Sequence, residues 1–340
     1  MKVLALMSGG VDSSVAAALL QSQGHDVTGV TLRLWGGETD SGCCSVADVE
    51  DARRVAAQLD IPHYVFNLGD DFGASVVEPY VAAYAAARTP NPCVECNRSI
   101  KFGRALDRAL TLGFDAVATG HHARVQRDPA GVYRLRRGAD SAKDQSYVLY
   151  MLGQRELARS LLPIGELTKS EVRAIASELG LRTAGKPESM DVCFIARGDR
   201  IRFLAARAPA RPGPIVDKEG TVLGSHDGVH TLTVGQRRGL GVATGTVRYV
   251  VDLDAPRATV TIGAYADLLT TDIAVRDLHF VREPPDSRQL VVQTRAHGAP
   301  LTGHLEDQRV RLQAPAPRVA PGQVVALYDG DSLVGGGLAC

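Results

Sequence analysis

Apolar residues run almost unbroken through Lys2–Met7 (KVLALM), the pattern of a strand buried on both faces. A helical period follows over Val11–Gln23 and stops at Gly24. Asp26–Leu34 reads as a second buried strand and His63–Asn67 as a third. Between them, Ser45-Val46-Ala47-Asp48 has the form of a capping box and opens a helix to Leu59. A longer helix from about Phe72 to Arg88 contains Pro79, which predicts a kink. Arg98–Leu110 is helical in pattern, Ala116–Thr119 is a strand, and Thr168–Glu171 caps a helix to Leu179. Such alternation predicts an α/β fold, a doubly wound parallel sheet with helices on both faces.

After about residue 205 the helical period disappears. Short stretches rich in Val, Thr and Leu are separated by turn signals such as Pro212-Gly213, Asp227-Gly228 and Asp329-Gly330. We therefore expect three domains: an α/β domain over 1–204, a small β-rich domain over 205–265, and a C-terminal β-barrel over 266–340. With 45% hydrophobic and 22% charged residues the composition is that of a globular protein. No apolar run reaches the length of a membrane span, and VLALM is too short for an export signal, so a cytoplasmic location without a membrane partner is expected. Thirty-eight basic residues balance 38 acidic ones, so a nucleic-acid partner would need a local basic face. Arg237-Arg238 and the stretch 197–211, with five arginines and one aspartate, are candidates for it; mixed surface charge is the plain alternative. Six cysteines are too few for a disulfide scaffold.

The candidate chemistry starts where the first strand ends, at Ser8-Gly9-Gly10-Val11-Asp12-Ser13-Ser14. Paired glycines there let backbone N–H groups approach a ligand, and the following helix aims its positive end at the same place. The serines add hydroxyls, and Asp12 is suited to hold Mg²⁺ beside phosphates. The string is neither a Walker A loop nor a Rossmann GxGxxG; an ordinary capped turn competes with a phosphate cradle. Further on, Cys93-Val94-Glu95-Cys96 lies between two predicted helices, with Cys96 near the start of the second, where a helix N-terminus favours thiolate. A zinc half-site, a redox pair or no role are all open for it, but there is no second CxxC or His pair at zinc spacing. Cys193 follows in GKPESMDVCFI. Two separated loop cysteines point to thiol chemistry; a small buried residue before Phe194 is the alternative.

SGGVDSS resembles the signature of the PP-loop ATP pyrophosphatases, which release pyrophosphate from ATP. Together with TPNPCVECN and IKF, ATGH, KDQSY, the Cys193 loop with CFI, HTLTVGQRRGLG and APGQVVALYDGDSLVGGG, it makes the whole chain resemble the tRNA-specific 2-thiouridylase family. The resemblance implies an enzyme that adenylates O2 of a tRNA wobble uridine with ATP and then replaces that oxygen by sulfur. It implies that Cys193 carries the sulfur as a persulfide and Cys96 is the partner thiol that closes a disulfide with it. Leu6, Met7, Ser8, Gly9, Gly10, Val11, Asp12, Ser13, Leu32 and Gly120 match ATP-holding positions. Asn91, Pro92 and Cys93 match the segment facing the target base; His121, Lys143, Asp144, Gln145, Arg295 and Gln323 match tRNA-contacting positions. The wobble base must leave its stack to reach such a site. A cysteine desulfurase or a sulfur relay protein is the implied donor.

Position 93 departs from the family, where Asp is frequent. Cys93, Cys96 and Cys193 would suit a [4Fe–4S] cluster with one open iron, in competition with the persulfide route. Cys43, Cys44 and Cys340 receive no role, and Gly239-Leu240-Gly241 through Gly245 reads as turns. Two other classes remain: an amidating PP-loop synthetase, which leaves Cys96 and Cys193 unexplained, and a non-enzymatic nucleotide-binding module, which does the same.

Overall fold

The structure is a computed structural model that describes residues 1–34, 45–187, 192–196, 198–208, 210–282, 289–296 and 298–340. Trp35, Cys43, Cys44 and Arg197 lie outside the described residues. The chain opens with β1 (Lys2–Leu6), α1 (Val11–Ser22), β2 (Asp26–Arg33), α2 (Val46–Gln58) and β3 (His63–Asn67). Helical segments α3 (Gly69–Phe72), α4 (Glu78–Ala85), α5 (Pro92–Glu95) and α6 (Ala105–Thr111) precede β4 (Ala116–Ala118). A hairpin β5 (Ala123–Arg127) and β6 (Tyr133–Arg137) follows, then α7 (Gln154–Leu157), β7 (Ser160–Leu161), α8 (Lys169–Glu178) and α9 (Arg200–Ala205).

Five parallel strands form the first sheet in the order β3-β2-β1-β4-β7. Strand β1 shows why both faces are covered. Leu4 and Leu6 enter one apolar cluster, while Val3, Ala5 and Met7 enter another on the opposite side. The expected doubly wound α/β sheet is therefore present. Strand order reverses about β1, so the crevice beyond the carboxyl ends of β1 and β4 is the place where such sheets bind ligands.

Two helices differ from their predicted extents. The run expected from Phe72 begins at Gly69, and a π-helical segment over Gly73–Val77 stands immediately before α4. Pro79 lacks an N–H and its ring crowds the carbonyl four residues earlier; the wider turn absorbs the kink expected there. The helix expected from Arg98 starts six residues earlier, at Pro92, and runs through a π segment over Cys96–Arg104 into α6. Asn91 is its N-cap, accepting the Cys93 N–H at 3.0 Å, and Pro92 occupies the first turn, where a missing N–H costs nothing.

The remaining strands are β8 (Gly213–Val216), β9 (Val222–His226), β10 (Tyr249–Asp254), β11 (Thr259–Gly263), β12 (Leu269–Phe280), β13 (Leu290–Gln293), β14 (Leu301–Glu306), β15 (Arg309–Pro317), β16 (Val324–Asp329) and β17 (Ser332–Ala339). A four-stranded sheet β10-β11-β8-β9 occupies the middle of the chain. The C-terminal strands close into a six-stranded barrel, β12-β15-β14-β13-β16-β17, through the β12–β17 pairing. Hairpin β5–β6, which periodicity did not reveal, joins this barrel where Leu135 and Arg136 pair with Leu333 and Ser332. No described helix is long and apolar enough to cross a membrane.

Arg137 ties the hairpin to the barrel. Its guanidinium is 2.8 Å from Asp144 Oδ2, donates to Gln293 Oε1, and lies 3.7 Å over the Tyr328 ring. Asp144 is itself buried, so removing its cation leaves an uncompensated charge. Replacing Arg137→Met should lower unfolding free energy by about 3 kcal/mol or more in urea titrations. A loss under about 1 kcal/mol would mean that the buried pair contributes little.

Candidate nucleotide and thiol site

The turn after β1 is shaped by what it touches. Gly9 has φ +73, and a β-carbon there would lie 2.3 Å from the carbonyl oxygen of Asp48 on α2. Only glycine allows both the conformation and the approach. Gly10 takes the N-cap position of α1, with no side-chain cap among the described residues, which leaves first-turn N–H groups facing the turn. Ser13 Oγ accepts the Ser8 N–H at 3.1 Å and donates to Gly10 O at 3.2 Å, while Ser14 Oγ donates to Gly10 O at 2.8 Å. Ser8 and Ser13 hydroxyls are 3.3 Å apart. Leu6, Met7 and Val11 are buried beneath the turn, and Leu32 is buried at the end of β2.

Gly120 completes the crevice from the end of β4. A β-carbon there would come within 2.7 Å of the Asp12 carbonyl carbon and the Ser13 nitrogen. Its glycine is thus required by contact with the start of α1. Asp12 Oδ1 and Oδ2 each lie 2.6 Å from Lys169 Nζ, and His122 Nε2 is 3.4 Å from Oδ1. Burial by itself would raise the Asp12 carboxyl pKa; His122 and Lys169 outweigh it and hold the group below the ordinary carboxylate value. Neither Lys169 nor His122 was singled out from the sequence. Lys169 sat unnoticed inside the Thr168–Glu171 capping box, whose geometry is present, and His122 merely followed His121 in ATGHH.

Cys96 and Cys193 both border the apolar cluster on the face of the sheet opposite α1. Cys96 is buried in the apolar cluster that holds Leu4, Leu6 and Leu32, and Cys193 packs against the same cluster. Phe194 anchors the Cys193 turn, with ring centroids 5.5 Å from Phe72, 5.4 Å from Tyr80 and 5.6 Å from Phe203. Cys93 and Cys96 are therefore not loop residues. The helix begun at Pro92 turns Cys93 to solvent and Cys96 into the core.

Asp12 gives the crevice a carboxylate suited to a Mg²⁺ carried mainly by nucleotide phosphates. No group of three or more His, Cys, Asp or Glu arranged to hold a metal ion occurs among the described residues. Cys93 is exposed, Cys96 buried and Cys193 half-buried.

The positions matched to tRNA contact divide into two sets. Arg295 and Gln145 are exposed, and Asn91, Pro92 and Lys143 are half-buried. The others are engaged internally. His121 is buried, its Nδ1 2.7 Å from Thr119 Oγ1 and its ring 5.9 Å from Phe102. Asp144 accepts the N–H groups of Gly138 and Ser146 at 3.1 and 3.0 Å besides pairing with Arg137. Gln323 Nε2 donates to Thr89 O at 2.6 Å. A separate cleft of about 700 Å³ is lined by Arg200 of α9 and by Gln236, Arg237 and Arg238 from the segment between β9 and β10. Arg200 of one basic stretch and Arg237-Arg238 of the other share that lining with Asp227.

Models of three protein families match the chain: the tRNA methyl transferase HUP domain over 1–197, the tRNA methyl transferase PRC-barrel domain over 201–264, and the aminomethyltransferase beta-barrel domain over 270–339. The tRNA-specific 2-thiouridylase MnmA of Roseiflexus castenholzii is 48% identical over 99% of this chain and 98% of its own length. The chain belongs to the tRNA-specific 2-thiouridylase family. Another member, from Acidothermus cellulolyticus, is 48% identical over 98% of this chain and 96% of its own. Among solved structures, a 4-thiouridine synthetase–RNA complex with bound ATP aligns with a TM-score of 0.38 and 20% identity, covering 62% of this chain and 46% of that one.

Two outcomes follow from this geometry. Gly9→Ala should abolish measurable ATP binding, since the turn must move by an ångström or more against Asp48; unchanged affinity by equilibrium dialysis would contradict the cradle. His121 stays neutral when folded because burial holds its pKa well below the ordinary imidazole value of about 6.5. An unfolded His121 gains a proton below that value, so its contribution to stability is complete above about pH 6.5 and falls by up to about 1.4 kcal/mol per pH unit beneath it. Urea titrations from pH 7.5 to 5.5 should show this slope shrinking by about one proton in His121→Gln.

Proposed function

We propose that this protein is a tRNA-uridine 2-sulfurtransferase that forms 2-thiouridine at the wobble position and releases AMP and pyrophosphate. The reading is supported by a glycine-lined helix N-terminus at the end of β1 and by Cys96 and Cys193, which lie in or against the apolar cluster on one face of the same sheet. Methyl transfer, named in the descriptions of two matched family models, requires neither an ATP-splitting turn nor two thiols. Amidation leaves the thiols without a task.

Uridine C2 is a poor electrophile with no leaving group. Attack of O2 on the α-phosphorus of ATP makes that oxygen part of AMP, with the N–H groups of the Ser8–Ser13 turn meeting the phosphate charge. Mg²⁺ bound beside Asp12 would add charge neutralisation at the phosphates. Cys193 then presents sulfur as a persulfide supplied by a cysteine desulfurase or sulfur relay protein. Its outer sulfur bonds to C2 as the C2–O bond breaks and AMP leaves. The Cys96 thiolate attacks the Cys193 sulfur, the former persulfide bond breaks toward C2, and thiouridine departs. A Cys96–Cys193 disulfide remains for a reductant to open. Residues 1–204 carry the chemistry, and the barrel over 266–340 helps hold tRNA, with Asn91 to Cys93 facing the base. Location is cytoplasmic.

The decisive test is 2-thiouridine in tRNA from cells lacking this protein; normal content would refute the assignment. In vitro, Cys193→Ser should lose thiolation at least about 100-fold while keeping tRNA-stimulated pyrophosphate release. Anaerobically purified protein should be colourless, iron-free and active. Arg237→Ala with Arg238→Ala should weaken tRNA binding and reduce its salt slope by about one to two. An unaltered slope would remove the basic cleft from the RNA surface.

A further inference from the structure

We propose that Lys169 is a phosphate-binding catalytic residue, held on Asp12 before nucleotide arrives and transferred to the leaving phosphates of ATP when it enters. The inference rests on the reading of the Ser8–Ser13 turn as an ATP site. Lys169 Nζ is 2.6 Å from both Asp12 oxygens, at the mouth of that turn. Its side chain is 13% exposed and that of Asp12 30%, so the pair sits inside the crevice rather than on the surface.

The backbone of Lys169 is fixed independently of this contact. Thr168 caps α8 by accepting the Glu171 N–H, and the Lys169 N–H donates to Asp140 Oδ2 at 2.9 Å. Anchored in this way, the four-carbon stem can swing between partners while its Cα stays in place. Helices α1 and α8 pack together, so two helix N-termini and one ammonium converge on the same carboxylate. A triphosphate placed on the turn brings far more negative charge than Asp12 and competes for the same cation.

His122 supplies what Asp12 needs when Lys169 leaves. Its side chain is 4% exposed and Nε2 is 3.4 Å from Asp12 Oδ1. Among the described residues neither ring nitrogen has a hydrogen-bond partner. A small closing of that gap turns the long contact into a hydrogen bond, so His122 acts as a positioning residue. During adenylation the uridine O2 bonds to the α-phosphorus and the bond to the bridging oxygen breaks. The electron pair departs with pyrophosphate, the uridine N3 proton passes to water, and Lys169 faces the added charge.

Metal-free ATP binding, measured in EDTA by equilibrium dialysis, separates this role from simple neutralisation of Asp12. Lys169→Ala should weaken binding about 10-fold or more, and Lys169→Arg should recover part of the loss. The deciding comparison is Asp12→Asn against Asp12→Asn/Lys169→Ala. With no carboxylate to neutralise, the double variant should still bind ATP about 10-fold more weakly. Equal affinity of the two would overturn the proposal, as would full affinity in Lys169→Ala; melting temperatures check that each variant is folded. Thiolation by the unaltered protein is scored separately. If it binds ATP with this Lys169 dependence yet forms no 2-thiouridine, the sulfur-transfer reading fails and the lysine assignment stands.

Discussion

The position of the thiol helix depends on Thr89. Its N–H donates to Pro321 O at 2.7 Å and its carbonyl accepts from Gln323 Nε2 at 2.6 Å, so a turn of the C-terminal barrel grips the first residue of TPNPCVEC. Gly322 has φ +89, and a β-carbon on it would touch three Thr89 backbone atoms at 3.3 Å. Thr89 Oγ1 also donates to Thr233 Oγ1 of the central segment at 3.3 Å. One residue thus joins the helical layer to both β-rich parts of the chain. Asn91 caps the thiol helix two residues later, so the barrel sets where that helix starts and hence where Cys93 and Cys96 point. A distant β-barrel is in this way part of the machinery that places a cysteine.

The same coupling explains why the apolar cluster around Cys96 does not stop at the first sheet. It continues through Leu135 of the hairpin into Val324, Ala326, Tyr328 and Leu333 of the barrel. The arginines of the hairpin are neutralised where it meets the barrel: Asp331 accepts from Arg124 at 3.0 Å and from Arg136 at 2.6 Å. These pairs are partly exposed, so they contribute little to stability, but they match the hairpin to one place on the barrel.

Much of this was legible in the chain. The apolar run Lys2–Met7 and its double glycine foretold both the buried strand and the tight turn into α1, because burial on two faces and close backbone approach each leave a local mark. The Ser45 and Thr168 caps were equally local. The hairpin was not, since ARVQR and YRLRR look like solvated surface until Asp331 of the barrel pairs with Arg124 and Arg136. Nor was the start of the thiol helix: Pro90 and Pro92 suggested an extended approach, whereas Pro92 suits a first helical turn as well. His121 and Asp144 looked like positions for an RNA partner, and burial shows them occupied within the fold. Lys169 and Asp12 are 157 residues apart, and nothing in either neighbourhood announces the other.

That last pair bears on how a chain of zero formal charge handles a polyanion and an RNA together. A permanently cationic crevice would hold any phosphate, including the backbone of the RNA it is meant to receive. Asp12 cancels Lys169 until a nucleotide displaces it, so attraction is strongest for a ligand that can reach the helix N-termini and the lysine at once. A triphosphate end meets that demand, whereas a backbone phosphodiester carries a single charge and is flanked by sugars. The basic cleft proposed above to meet RNA stands elsewhere, at Arg200, Arg237 and Arg238. Separating the two kinds of phosphate recognition in this way lets the wobble base arrive with its backbone held at a distance and only its oxygen near the activated phosphorus.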